Sequence, residues 1–224
     1  MTQAPEPIDV DYAKVMEEIK DRRQGSINYR ASDDMVDRVR AYEKAELALP
    51  PPSARGEGID KLSLLDPLTE LYNFRTFLKE LKAELTRAKR YKQPCAIVLL
   101  TIDNFEEVVQ QYGYVTGDAI LKVVANVMRT ALREVDIPAK YGTQEFAVIL
   151  PQTGPAGGSL VAERLRQRIG NQAVSLNWQS FSVTASAGVA SYPAHATAYD
   201  ELIARAMEAL QWALERGGDR VLAP

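Results

Sequence analysis

The sequence predicts an α/β sandwich with a mixed central sheet, and three observations carry that prediction. Helical and strand patterns interleave along most of the chain, as they do where helices cover a sheet. A tight turn around Gly142 joins two apolar strands, which forces antiparallel pairing and excludes a doubly wound parallel sheet. The composition of the 224 residues, 46% hydrophobic and 25% charged, is that of an ordinary globular protein with a sizeable core.

The elements follow in order. Ile8, Tyr12, Val15, Met16 and Ile19 recur at three- and four-residue spacing, which predicts an amphipathic helix. A second helix begins near Ser32, a good N-cap, with Met35, Val39 and Tyr42 on one stripe. Two short helices cannot fold alone, so residues 1–49 are a helical extension that docks on the main domain, on a second copy or on a partner. Pro50, Pro51 and Pro52, followed by SARGEG, make residues 50–61 a linker. The main domain is residues 62–224.

Within it, Phe77, Leu78, Leu81, Leu85 and Ala88 form a helical stripe that ends before Pro94. CAIVLLT (95–101) reads as a buried strand. A helix is expected from about Gly117 to Leu132, then strands at about 137–141 and 145–150. Leu160, Val161, Leu165 and Ile169 mark the next helix. FSVTASAGVASY (181–192) reads as one long strand, and Tyr199–Leu214 as the last helix.

Charge and targeting signals narrow the function classes. A net charge of -3 argues against a general nucleic-acid binder. Residues 1–61 hold 13 acids and 10 bases, leaving 17 of each in the rest, so the acidic excess lies upstream of the domain. No apolar run reaches the roughly 18 residues needed to span a bilayer, and MTQAPEPIDVDY lacks the features of a secretory signal. With a single cysteine, Cys95, no internal disulfide forms. These features predict a cytoplasmic protein without a membrane association.

Six motifs stand in register along the main domain: DPLTELYN (66–73), TIDNF (101–105), YGYVTGD (112–118), YGTQEF (141–146), SAGVAS (186–191) and AMEALQWALERGGDRV (206–221). In order and spacing they resemble the GGDEF family, the diguanylate cyclases of bacteria, from Leu62 to the C-terminus. The resemblance implies joining of two GTP molecules into cyclic di-GMP, one presented by each subunit of a dimer. Such chemistry needs a divalent metal held by carboxylates at fixed geometry.

Carried over position by position, that chemistry is missing its parts. The family's metal carboxylates map to Thr101 and Gln144, neither of which is charged. Asp103 is the carboxylate left beside them and is not enough by itself. Gly142-Thr143-Gln144-Glu145-Phe146 stands where the family has Gly-Gly-acid-Glu-Phe, and Thr143 adds a branched side chain where a glycine lets backbone approach phosphate. The guanine-reading Asn and Asp map to Val109 and Asp118, and a phosphate-binding lysine maps to Leu214. The expectation is a chain with no catalytic residue, no resident metal and no cofactor.

The family's inhibitory site, by contrast, is intact. Arg133-Glu134-Val135-Asp136 precedes IPAKY and Gly142 at the family's spacing, and the second arginine maps to Arg164. An arginine fork suits the O6 and N7 edge of guanine or a phosphate, and a carboxylate accepts from guanine N1 and N2. A surface ion pair between Arg133 and Asp136 is the plain alternative. The resemblance therefore implies a cyclic di-GMP receptor that signals through a protein partner, engaged by residues 1–49 or the domain surface, with a ligand-bridged homodimer as a further possibility. A residual diguanylate cyclase, a nucleotide-independent interaction scaffold and a GTP-binding effector are the alternatives.

Other features carry less. GPAGGS (154–159) lacks a P-loop lysine and starts a helix. His195 has no metal-ligating neighbours in sequence, Cys95 reads as a buried hydrophobe, and Trp178 and Trp212 as packing residues, Trp212 with scope for exposure.

Overall fold

A computed structural model describes residues 64–176 and 179–224; the helical extension 1–49, the linker 50–61 and Trp178 lie outside the described residues. Asn73 accepts the Thr76 amide at 2.9 Å and so caps helix α1 (Phe74–Tyr91), which a left-handed Lys92 ends. Strand β1 (Cys95–Ile102) is buried at every position, which is why it reads as a continuous apolar run. Then come α2 (Phe105–Tyr112), α3 (Tyr114–Ala131), β2 (Ile137–Lys140) and β3 (Glu145–Pro151). The remainder is α4 (Pro155–Gly170), β4 (Ala173–Leu176), β5 (Gln179–Ser182), β6 (Ala185–Tyr192), α5 (Tyr199–Glu215) and β7 (Val221–Leu222).

The five-stranded sheet has the order β2-β3-β1-β6-β7. Strand β1 is antiparallel to both β3 and β6, β2 is antiparallel to β3, and β7 is parallel to β6. The predicted mixed sheet is therefore present. Alternation along β1 sends Ala96, Val98 and Leu100 into a core with α3 and α4, and Cys95, Ile97 and Leu99 into a second core with α1 and α5. The α5 backbone lies so close to β6 that a Cβ on Gly188 would collide with the Ala206 carbonyl and the Leu210 amide. Cys95 is wholly buried, and that burial, with Glu84 nearby, pushes its thiol up to about 12.

Two expectations are corrected, and one helix is added. The added helix is α2, where FEEVVQQY is short and buries only Phe105. Helix α3 starts at Tyr114, three residues before Gly117, where Gly113 at φ +86° turns the chain out of α2. The long strand 181–192 is two strands in two sheets, with β5 paired to β4 in a separate hairpin. The break falls at Val183 and Thr184, and the Asp103 amide donates to the Thr184 carbonyl at 3.0 Å, one residue beyond the last β1–β6 pair, Ile102 and Ala185. The helix marked by Leu160, Val161, Leu165 and Ile169 is present as α4, which buries Gly158, Val161, Ala162, Leu165 and Ile169 and leaves Leu160 70% exposed. GPAGGS does start a helix, with Gly154 at the N-cap and Pro155 in the first turn. Trp212 is half-buried.

Candidate functional site

Two groups of residues come together at different places on this frame. The first lies at the C-terminal end of β1. Thr101 is buried and flanked by Glu145 on β3 and Ser186 on β6. The loop Tyr141–Gln144 closes β2 onto β3, and the Tyr141 and Gly142 amides both donate to the Glu145 carbonyl, at 2.9 and 3.2 Å. Glu145 folds its carboxylate back over this loop, where Oε2 accepts the Gln144 amide at 3.1 Å and lies against Gly142. Phe146 is fully buried beneath the loop, and Thr143 is exposed.

Lys140, which lies outside the sequence-predicted site residues, holds the loop from below. It is 8% exposed and donates through Nζ to the Gly142 carbonyl and, at 2.6 Å, to the Thr143 carbonyl. The same ammonium lies 4.9 Å from the centre of the Phe146 ring. Burial lowers it to about 8, against the opposing pull of Glu145 and Asp66. A lysine at an inward register of β2, just before the glycine turn, was the signal available in the sequence.

Asp103 is fully engaged. Oδ1 accepts the Ser186 hydroxyl at 2.7 Å, and Oδ2 accepts the Thr184 hydroxyl at 2.7 Å and the Asp219 amide at 3.0 Å. Asp219 in turn takes Arg166 of α4, whose guanidinium also donates to Glu163 at 2.9 and 2.6 Å. That pairing lowers the Glu163 carboxyl and raises the arginine above its ordinary value. Among the described residues no three of His, Cys, Asp and Glu converge in a metal-holding group. Val109 packs into the α2–α3 crossing, where a Cβ on Gly117 would sit 2.7 Å from its Cγ2. Asp118 is exposed one residue on, and Leu214 is half-buried in the last turn of α5.

The second group follows α3. The Arg133 amide donates to Asp136 Oδ2 at 2.9 Å, and the Asp136 amide returns to the Arg133 carbonyl at 3.1 Å, so the four residues form a closed turn. No ion pair joins the two side chains among the described residues, and the Arg133 side chain stays at the exposed surface. Asp136 is only 5% exposed, and its other oxygen, Oδ1, is buried without a hydrogen-bond partner. Arg164 Nε is also buried without one. Such atoms are rare, because each leaves a desolvated polar group uncompensated.

The strand directions orient α4 against α3. Strands β1 and β2 are parallel to each other, as are β3 and β6, so the connecting helices α3 and α4 run antiparallel. Arg168 of α4 reaches the Thr130 carbonyl, in the last turn of α3, at 3.5 Å. One turn back along α4, Arg164 therefore lies past the end of α3, on the side of residues 133–136.

Residues 63–220 match the family described as "Diguanylate cyclase, GGDEF domain", and the chain belongs to that family. Among curated proteins it is 33% identical over 159 residues to Diguanylate cyclase DgcP of Pseudomonas aeruginosa, covering 71% of this chain and 24% of that one. Response regulator PleD of Caulobacter vibrioides is 30% identical over 164 residues, 72% of this chain and 36% of its own. The chain thus spans well under half the length of these two relatives. Among solved structures, the GGDEF domain of DgcB from Caulobacter crescentus in complex with c-di-GMP aligns at a TM-score of 0.67 and 26% identity, covering 71% of this chain and 92% of that one. Diguanylate cyclase SiaD from Pseudomonas aeruginosa, in complex with its activator SiaC, aligns at a TM-score of 0.68 and 29% identity, over 94% of this chain and 82% of that one. No helix among the described residues is long and apolar enough to cross a membrane.

Proposed function

We propose that this chain is a catalytically inactive GGDEF protein that binds cyclic di-GMP through Arg133, Asp136 and Arg164. One observation carries the reading: Asp136 Oδ1 and Arg164 Nε, which the family resemblance maps to its inhibitory site, are both buried without hydrogen-bond partners. A ligand offering guanine donors to the carboxylate and acceptors to the guanidinium would satisfy both. The c-di-GMP complex of the similar DgcB domain supports that choice of ligand.

The end of β1 supports the absence of catalysis. Divalent metal and triphosphate call for carboxylates, and Thr101 and Gln144 supply none. Asp103 has its oxygens taken by two hydroxyls and an amide, and Glu145 is folded onto its own loop. This donor set does not fit a divalent cation. Titration calorimetry with cyclic di-GMP tests the receptor reading: binding should be seen, and no heat at tens of micromolar ligand would end it.

A second reading, a residual cyclase, is favoured by the cyclases among the relatives. Incubation with GTP and Mg²⁺ or Mn²⁺ separates the two, since the receptor reading requires no cyclic di-GMP to form. The similarity to SiaD bound to its activator supports a protein partner for the signal, and residues 1–49 are the proposed docking element.

A further inference from the structure

Residues 1–63 join the described domain at Leu64, and exposed apolar side chains stand at that entry point. Leu65 and Tyr72 oppose each other in an antiparallel bridge, which puts their Cβ atoms about 5 Å apart on one side of the backbone. The Tyr72 carbonyl accepts the Lys140 amide at 2.7 Å, so the pair is fixed to the outer edge of β2. The Leu64 carbonyl accepts the Asn73 amide and the Thr76 hydroxyl, each at 2.9 Å, which ties Leu64 to the first turn of α1. All three apolar side chains are exposed.

A cationic stripe starts next to them. Arg75, Lys79 and Lys82 recur on α1 at four- and three-residue spacing and so share one side of the helix. Arg75 and Lys79 are exposed, and neither pairs with a carboxylate among the described residues. Lys82 lies over the Tyr199 ring, 4.6 Å from its centre. The acids of α1, Glu80 and Glu84, fall off this stripe, and Glu84 is buried and paired with Arg87. Three residues of chain carry Tyr72 to Arg75, a span of at most about 11 Å. Lys79 stands about 6 Å further along the helix. The face is thus apolar at one end and positive at the other.

A segment of the same chain carries the complementary order. In residues 32–49, Met35, Val39, Tyr42 and Glu46 recur at helical spacing, so an apolar stripe runs into a carboxylate, with Glu43 beside Tyr42. This segment holds five acids and three bases, whereas α1 holds six bases and two acids. Residues 50–63 connect the segment to Leu64 and reach up to about 50 Å when extended, enough to fold back. A tether of that length gives an effective concentration on the order of millimolar, at which a small patch suffices. Between separate molecules the same few side chains and surface ion pairs would be too weak. The segment between Ser32 and Pro50 is also shorter than the roughly three to four heptads that sustain a coiled coil.

We infer that residues 32–49 dock back on their own domain, with Met35, Val39 and Tyr42 on Leu65 and Tyr72, and Glu43 and Glu46 toward Arg75 and Lys79. Apolar cover supplies the attraction and the charges set which way the segment lies. The inference does not depend on cyclic di-GMP binding. It does bear on a protein partner, because a partner that takes residues 1–49 must compete with the domain for the same stripe.

The test is amide hydrogen exchange on the full chain at several protein concentrations, with sedimentation to read the oligomeric state. Amides of residues 33–47 should exchange roughly tenfold slower than in a free peptide of that sequence, by the same factor at every concentration. Leu65→Ser should speed their exchange about fivefold and Lys79→Glu roughly threefold, while exchange in β1 stays at the wild-type rate. The double variant Lys79→Glu with Glu46→Lys should return to slow exchange, a reciprocity that general loosening would not give. Exchange at the free-peptide rate in wild type would overturn the inference, as would an unchanged rate in either single variant. A double variant as fast as Lys79→Glu alone would overturn it too. Protection that grows with concentration, alongside a dimer in sedimentation, would assign the stripe to a second copy and end the proposal.

Discussion

The amide of Asp219 donates to Asp103 Oδ2 at 3.0 Å, joining two residues 116 positions apart. The contact converts the carboxylate nearest the end of β1 into a fastening for the C-terminal turn. The Ser186 and Thr184 hydroxyls, each at 2.7 Å, complete it.

If Asp103 is a fastening, its removal should cost stability whether or not nucleotide is present. Asp103→Ala should lower the unfolding free energy by about 1–3 kcal/mol, read as a lower urea midpoint with an unchanged slope. Amide exchange should quicken at Asp219 and at Ala187, which bonds the Arg220 carbonyl. Wild-type stability in the variant would contradict this.

Lys140→Met should loosen the Tyr141–Gln144 loop by removing a buried ammonium that serves two carbonyls, at a cost of about 1–3 kcal/mol near neutral pH. Lys140 stands at about 8 in the folded protein against an ordinary 10.5. Between those values the folded chain holds fewer protons than the unfolded one, so this group's contribution to stability rises with pH across that window. Urea midpoints of wild type and Lys140→Met, compared from pH 8 to 10.5, should shift in favour of wild type. A constant difference would argue against the buried ammonium.

Cys95 is fully buried with its thiol pushed up to about 12, so in native protein it should resist thiol reagents at pH 8 and react at once in denaturant. Rapid labelling of the native protein would mean that β1 opens locally.

The parts legible in sequence share a physical cause. CAIVLLT announces β1 because a central strand buried on both faces carries no alternating polar residues. The Gly142 turn between apolar strands announces β2 and β3. Helix α2 escaped notice because one buried residue, Phe105, leaves no periodic stripe. The split at Val183 and Thr184 is not legible, since strand propensity continues across it while pairing with β4 takes β5 into a separate sheet. The site divides in the same way. Arg133, Asp136 and Arg164 are proposed from their address within the family pattern. That Asp103 is consumed by Asp219, or that Lys140 props the loop, depends on contacts made only in the fold.

Reversion at one position should not revive catalysis. Gln144→Glu restores one of two carboxylates, while Thr101 remains buried between Glu145 and Ser186 and Leu214 offers no cation. Chromatography of a GTP reaction with Mg²⁺ or Mn²⁺ should show no cyclic di-GMP from wild type or from this variant. Product that appears with Gln144→Glu and disappears with Glu145→Ala would show that a single change had silenced the enzyme.

The central claim is that a ligand site persists where Asp136 and Arg164 are unpartnered and not at the end of β1. Calorimetry of cyclic di-GMP on wild type, Arg164→Ala and Gln144→Ala tests it most directly. The account predicts a loss of roughly ten- to a hundredfold for Arg164→Ala, the size of one bidentate contact, and wild-type affinity for Gln144→Ala. Equal affinity in Arg164→Ala and wild type, or a loss confined to Gln144→Ala, would contradict it.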